Sequence, residues 1–374
     1  MFSKIKRSVS KNISNIPGWS TSRKIIVFLV DDWGAVRIRN KAAWNALKNA
    51  GIDVESSRFN RYDTLAGCDD LTSLFDILAR VKDRTNRSAV FTAVAAVANP
   101  DFAKIRASDF QQYHYEAFTT TLQRYFSTNQ ASLLWQQGID QRLFVPEFHG
   151  REHLNVKFWF KSLMTGDKNI RTAFDYESIG IKASGKSDYK NGYMAAYDFE
   201  SKEDIPELVK LSEKGIDIFK ESFNYSPSLL VAPSLLHNSA IEPALAKKGI
   251  KFIDRAKVSL EPQGNAKYKK KHFYLGEKNK HGQLYFTRNC LFEPTHQADS
   301  VNMAMGDISI AFRWNKPAII SSHRVNFVGG LDEANRKIGL NKLEELLNRI
   351  IDKWPEVEFM TASELGEIML EGGR

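Results

Sequence analysis

Ile25-Ile26-Val27-Phe28-Leu29-Val30-Asp31-Asp32-Trp33-Gly34 is a run of six apolar residues closed by two carboxylates and, after a tryptophan, a glycine. A short apolar run rich in β-branched residues predicts a strand buried on both faces. Two acids at its end put two like charges at the strand's C-terminal mouth, the place where α/β sheets and barrels build their sites. Adjacent carboxylates repel unless a cation or a proton separates them. Further metal ligands elsewhere in the chain would relieve that repulsion.

Phe148-His149-Gly150-Arg151-Glu152-His153 supplies them. On a helical turn residues i and i+4 stand side by side, so His149 and His153 reach one ion. The preceding Arg142 to Phe148 reads as a strand, which sets the pair at a second strand mouth. Asp32, His149 and His153 are three ligands of a catalytic zinc-type ion, and the open position holds water. Asp31 is then free to take a proton from that water. A third histidine, His323, follows the apolar Pro317 to Ile320 and also ends a strand, where an imidazole can donate a proton to a leaving group. The same segment fits His-x-x-Glu-His, a peptidase pattern with Glu152 as base. Pro146 and Gly150 disfavour the helix that pattern needs, and it leaves Asp31 and Asp32 unexplained.

Strand-like and helix-like patterns alternate along the chain. Strands are expected at 24–30, 90–98, 143–148, 193–197, 228–232, 251–253, 283–289, 318–322 and 357–360. Helices are expected at 70–84, 108–125, 205–223, 240–248 and 340–354, with Asp69 and Asp70 opening one and Gly249 ending another. Repeated strand–helix units imply a parallel sheet with right-handed crossovers, and their number favours a closed or nearly closed (β/α) barrel. No glycine-rich phosphate loop is present. The lysine-rich stretch 255–282 reads as a lid or a solvated insertion.

The bulk numbers exclude several classes. The 374 residues carry 43% hydrophobic and 26% charged side chains, ordinary for a soluble fold, and two cysteines, Cys68 and Cys290, build neither a disulfide framework nor a cysteine zinc site. The formal net charge of +9 is spread along the chain, with a run at Lys269 to Lys271. That charge suits an acidic or phosphorylated substrate, and no nucleic-acid motif accompanies it. Residues 1–22 form a basic segment without the apolar core of a secretory signal, which points to the cytoplasm. In it Phe2, Ile5, Val9 and Ile13 fall at helical spacing between Lys4, Lys6, Arg7 and Lys11. The reading preferred is a short helix packed on the domain body, and the alternative is a peripheral anchor for an anionic membrane.

These residues resemble the polysaccharide deacetylase superfamily, the carbohydrate esterase family with a distorted β/α barrel. Val30-Asp31-Asp32-Trp33-Gly34 matches its first motif, His149 and His153 its second, and Ile320 with His323 its last. The resemblance implies an α/β distorted barrel of about seven strands over residues 23–374, with Asp31 as catalytic base, Asp32, His149 and His153 as metal ligands and His323 as general acid. It implies a divalent cation, zinc first, with cobalt or nickel as alternatives. It implies a carbohydrate partner, an N- or O-acetylated sugar or glycan. The family's third motif has an arginine two before a proline; here Val231 precedes Pro233, and Arg255, Arg288 and Arg324 are the candidate replacements. Asp254 is the candidate acid behind the last histidine. Trp33, Arg151 and Arg324 are candidates to hold substrate, as are Arg37, Glu152 and Asn326. The rival functions are a related barrel hydrolase of another C–N or glycosidic bond, and a non-catalytic carbohydrate-binding barrel.

Overall fold

A computed structural model of the protein describes residues 9–185 and 187–372. Among them nine strands form one parallel sheet: β1 (Ile25–Trp33), β2 (Phe91–Ala95), β3 (Phe144–Phe148), β4 (Leu229–Val231), β5 (Phe252–Asp254), β6 (Leu284–Phe286), β7 (Cys290–Leu291), β8 (Ala318–His323) and β9 (Glu358–Met360). Their order is β6-β5-β4-β3-β2-β1-β8-β7, with β9 also paired to β1. The sheet's two edge strands are neighbours in sequence. Residues 284–286 pair with β5, the chain crosses the gap in three residues, and 290–291 pair with β8. One stretch thus closes the ring, and with it counted once the interior is surrounded by seven strands. β9 lies beside the first half of β1, whose second half pairs with β2. The expected distorted α/β barrel of about seven strands is the fold observed.

Alternation decides what each strand presents. Ile25, Val27 and Leu29 join Val94, Val231, Phe252, Phe286 and Ile319 in an inner apolar cluster. Ile26, Phe28 and Val30 join the larger outer cluster beneath the helices. Side chains of a strand alternate between faces, so counting in twos carries the inner row onward. After Leu29 comes Asp31, after Phe252 comes Asp254, after Leu284 and Phe286 comes Arg288, and after Ile319 and Ser321 comes His323. The apolar rows fill the barrel, and the next inward position at its C-terminal mouth is a titratable group.

Asp32 breaks the count. It takes φ of +76°, and the pairing of β1 with β2 slips between Val30 and Trp33. The bulge turns Asp32 to the mouth beside Asp31 and sends Trp33 outward. A left-handed φ at an aspartate is strained and persists only where its surroundings hold it. They do so here: Gly34 follows at φ +74°, and a Cβ there would lie 2.1 Å from the Ala96 carbonyl oxygen. Asn99 locks the exit, accepting from the Val36 amide at 2.8 Å and donating to the Gly34 carbonyl at 3.0 Å.

Several expected elements differ. Residues 193–197 are not a strand: Gly192–Met194 is a 3₁₀ turn, and Asn155 takes the carbonyls of Ala195 and Asp198, so the segment is tied down as a loop. The helix expected at 108–125 is interrupted where Asp109 and Phe110 adopt positive φ and Tyr115–Ala117 pairs with Ala98–Pro100; only Phe118–Phe126 remains of it, after a separate helix Phe102–Ala107. The helix opening near Asp69 and Asp70 ends at Arg80 rather than at 84, because the Asp83 side chain caps a turn by accepting from the Thr85 and Arg87 amides. The stretch 255–282 contains an antiparallel hairpin, Val258–Gly264 with Lys267–His272, turned at Asn265 and Ala266, both with positive φ. Its Tyr268 hydroxyl donates to Asp198 at 2.5 Å, which fixes the hairpin to the barrel.

Candidate active site

Asp32, His149 and His153 converge at the mouth, and their ligand atoms all lie within 4.8 Å of one another. His149 Nε2 is 3.4 Å and His153 Nε2 3.0 Å from the same Asp32 oxygen. Ligands about 2.0–2.1 Å from a tetrahedral ion stand roughly 3.3 Å apart, so these separations fit a shared cation. The tautomer fits as well. His149 Nδ1–H donates to the Val231 carbonyl at 2.6 Å, which leaves the Nε2 lone pair facing Asp32. Burial lowers the His153 pKa and so favours the neutral, ligating ring. Burial on its own raises the Asp32 carboxyl, but the three neighbouring histidines, His153, His149 and His323, together outweigh it and hold the group well below the usual carboxylate range.

The histidines do not share a helical turn. Residues 149–155 form a loop, because Gly150 takes φ of +95° and the backbone bonds elsewhere: the His149 amide to Ala95, and the Ala98 amide to the Arg151 carbonyl. The rings still meet, with centroids 4.9 Å apart. The four-residue spacing is correct for the contact, and the geometry expected for it is replaced by a reversal of the chain.

Asp31 is gripped by Arg288. Nη1 and Nη2 donate to its two oxygens at 2.7 and 2.8 Å, while Nε donates to Asp254 at 2.7 Å and Nη1 also to Ser321. Of the three arginines expected as candidates, this is the one at the acid. Arg255 is wholly buried and pairs with Glu242, and Arg324 is spent elsewhere. Asp254 therefore supports Arg288, which corrects its expected place behind His323. Burial pushes the Asp254 carboxyl up to about 6 against the pull of Arg288, and the Asp31 charge adds to the rise.

The acid behind His323 is Glu293, which the sequence reading missed. His323 Nδ1 donates to Glu293 Oε1 at 2.6 Å, and Nε2 lies 3.9 Å from Asp31 Oδ2. Glu293 is itself fixed by Arg58 at 2.6 Å and by Asn326 at 2.7 Å. Burial would lower the His323 pKa, but the Glu293 bond and charge raise it to about 9. The ring is then a cation at neutral pH, with Nε2–H directed to the Asp31 side. Glu293→Gln is expected to bring the His323 pKa back toward 6.5, read by imidazole NMR. The sign follows for stability: a raised folded pKa stabilises fully below about 6.5 and loses that contribution as pH rises through about 9. The variant loses this pH dependence.

The expected substrate contacts divide. Trp33 is 1% exposed and packs edge-on against Trp135 and Phe144, so its faces belong to the core. Arg324, also 1% exposed, makes a fork to Asp63 at 2.9 and 2.8 Å and donates to the Ala35 carbonyl, bracing the β1 exit. Both are structural, because the bulge at Asp32 and the step past His323 turn them away from the mouth. Arg151 remains partly exposed, stacked 4.1 Å over Tyr115 and bonded to both oxygens of the buried Glu152. Asn326 serves Glu293, and Arg37 bonds Asn60 at 2.9 Å.

No known family's sequence pattern matches the chain, and no curated protein matches it in sequence. Solved structures do. A candidate glycoside hydrolase/deacetylase from Parabacteroides distasonis aligns with a TM-score of 0.50 at 7% identity, over 94% of this chain and 72% of that one. A candidate polysaccharide deacetylase from Mycobacterium smegmatis aligns at 0.45 and 11% identity, over 95% of this chain and 93% of that one. A branching enzyme from Thermococcus kodakaraensis aligns at 0.46 and 10%, over 93% of this chain and 71% of that one. At such identity the Parabacteroides likeness establishes the fold alone, a barrel shared with a protein of that description.

Proposed function

We propose that the chain is a metal-dependent hydrolase that removes acetyl groups from an N- or O-acetylated sugar or glycan. The observation that carries this reading is the meeting, at one barrel mouth, of a two-histidine, one-aspartate donor set with an arginine-held aspartate and a glutamate-held histidine. Asp32, His149 and His153 would hold the cation, zinc or a similar transition metal. When bound, such an ion polarises a carbonyl and acidifies water. The remaining steps belong to the chain. Asp31, oriented by Arg288, accepts the proton of the attacking water. Addition to the acetyl carbonyl gives a tetrahedral adduct. Its collapse breaks the C–N or C–O bond, releases acetate, and sends the amine or alcohol off with a proton from His323 Nε2. Base and acid thus face each other across the mouth, Asp31 held by Arg288 and His323 by Glu293, the division of roles that acid–base catalysis requires.

A carbohydrate substrate is supported by the fold neighbour described as a glycoside hydrolase/deacetylase. Arg151, the one of the three expected contacts left partly exposed, is assigned to the substrate. The reading is tested by acetate release from acetylated oligosaccharides with zinc, cobalt or nickel supplied. Turnover is expected with a metal and none after chelation. Tight metal binding without acetate release from any acetylated sugar defeats the hydrolase reading in favour of a binding role.

A further inference from the structure

The helix at 9–14 lies on the barrel with its polar side down. Lys11 donates to the Asn289 carbonyl at 3.1 Å and to Asp307 at 2.8 Å. Asn12 accepts from Trp314 at 3.0 Å, and Asn15, just beyond the helix, accepts from Asn289 at 3.0 Å. The opposite side carries Val9 and Ile13, and the stripe continues at Ile16 in the following turn; they are 52%, 61% and 53% exposed. Spacings of four and three put them on one stripe. A surface helix ordinarily turns that stripe to the core. Here it is turned to solvent, and the polar residues hold the helix in that orientation. The expected helix packed on the body is present from residue 9, inverted; residues 1–8, where the sequence continues the spacing at Ile5 and Phe2, lie outside the described residues.

The stripe is part of a larger surface. Val9 and Ile13 border one hollow, and Ile13, Val258 and Tyr274 border the next, of about 270 Å³. Five of the ten large apolar side chains exposed among the described residues gather here, which separates the patch from ordinary scatter. Its surroundings are basic. Lys257 and Lys316 line the second hollow with their ammonium groups bonded to the Ser14 carbonyl and to the Gly18 and Trp19 carbonyls, and the strand that leads to Tyr274 exposes Lys267, Lys269 and Lys270 to solvent.

We infer that this face docks on an anionic lipid surface, with the apolar stripe entering the headgroup boundary and the exposed Lys267, Lys269 and Lys270 lying over lipid phosphates. A second copy of the chain would bring two like-charged molecules of net charge +9 together at this patch. An anionic bilayer satisfies the apolar stripe and the surrounding charge at once. The contact is peripheral, since among the described residues no helix is long and apolar enough to cross a membrane. The inference stands apart from the proposed hydrolase activity.

The full chain is tested by sedimentation with vesicles of phosphatidylcholine alone and of phosphatidylcholine mixed with phosphatidylserine. Binding is expected to the mixed vesicles only, weakening as salt rises. Ile13→Glu, at a solvent-facing position, is expected to weaken it at least about tenfold. Changing Lys267, Lys269 and Lys270 together to Gln is expected to weaken it about a hundredfold, at roughly fivefold per lysine. Melting temperature serves as the control for folding. Failure of the wild-type chain to sediment with the mixed vesicles at low salt overturns the inference. So does equal binding by wild type and Ile13→Glu, or a dimer in solution that Ile13→Glu dissolves while vesicle binding is absent.

Discussion

Asp31→Asn is expected to lower kcat by about a thousandfold while the cation stays bound with affinity within about threefold of wild type. The substitution keeps the shape of the side chain and a bond to Arg288, and removes only the capacity to accept a proton. The ligand set of Asp32, His149 and His153 is left intact. Kinetics on an acetylated substrate beside a metal titration separates the two effects. Loss of the metal in this variant would make Asp31 a ligand and refute its role as base.

Arg288 is expected to be the most sensitive position for folding and activity together. It joins two buried carboxylates, Asp31 and Asp254, across the three-residue gap that closes the barrel. Arg288→Met leaves both acids buried without their cation, a change that typically costs about 3–5 kcal/mol. Activity is expected to fall at least about a hundredfold, because Asp31 loses its orientation. Arg288→Lys restores little, since one ammonium cannot make the fork to Asp31 and the bond to Asp254 together. Adding Asp254→Asn to Arg288→Met removes one of the stranded charges and is expected to recover part of the stability and none of the activity. Urea unfolding and kcat/KM measure both. Equal stability of wild type and Arg288→Met would show that the two acids do not depend on the arginine.

The alternation that fills the barrel also explains what was legible in the sequence. The apolar run before Asp31 fixes that strand, and the residues at four strand mouths follow from counting in twos. Arg288 was readable by that rule from Leu284 and Phe286, and Glu293 from Leu291. Arg288 stood only as one of three candidate arginines and Glu293 was not singled out, because the strand expected at 283–289 stops at Phe286 and a second short strand begins at Cys290 with a different partner. Nothing in a linear pattern announces that a chain will change neighbours between two strands. Trp33 shows the opposite failure. Periodicity puts it on the same face as Asp31, but the bulge at Asp32 shifts the register by one and sends it into the core. The hairpin in 255–282 was obscured by its lysines, which mark a solvated edge rather than a missing structure.

The alkaline side of the pH profile follows from His323. Activity is expected to fall as pH rises toward about 9, where the Glu293-supported imidazolium loses its proton. A bound cation nearby repels that proton and moves the fall to lower pH.

The most direct test of the central claim is the metal content of the purified chain after equilibration with zinc and removal of free ion. One equivalent is expected in the wild type and less than about a tenth in a variant carrying Asp32→Ala and His153→Ala together, since the site then keeps a single ligand. Full occupancy in that double variant would contradict the account.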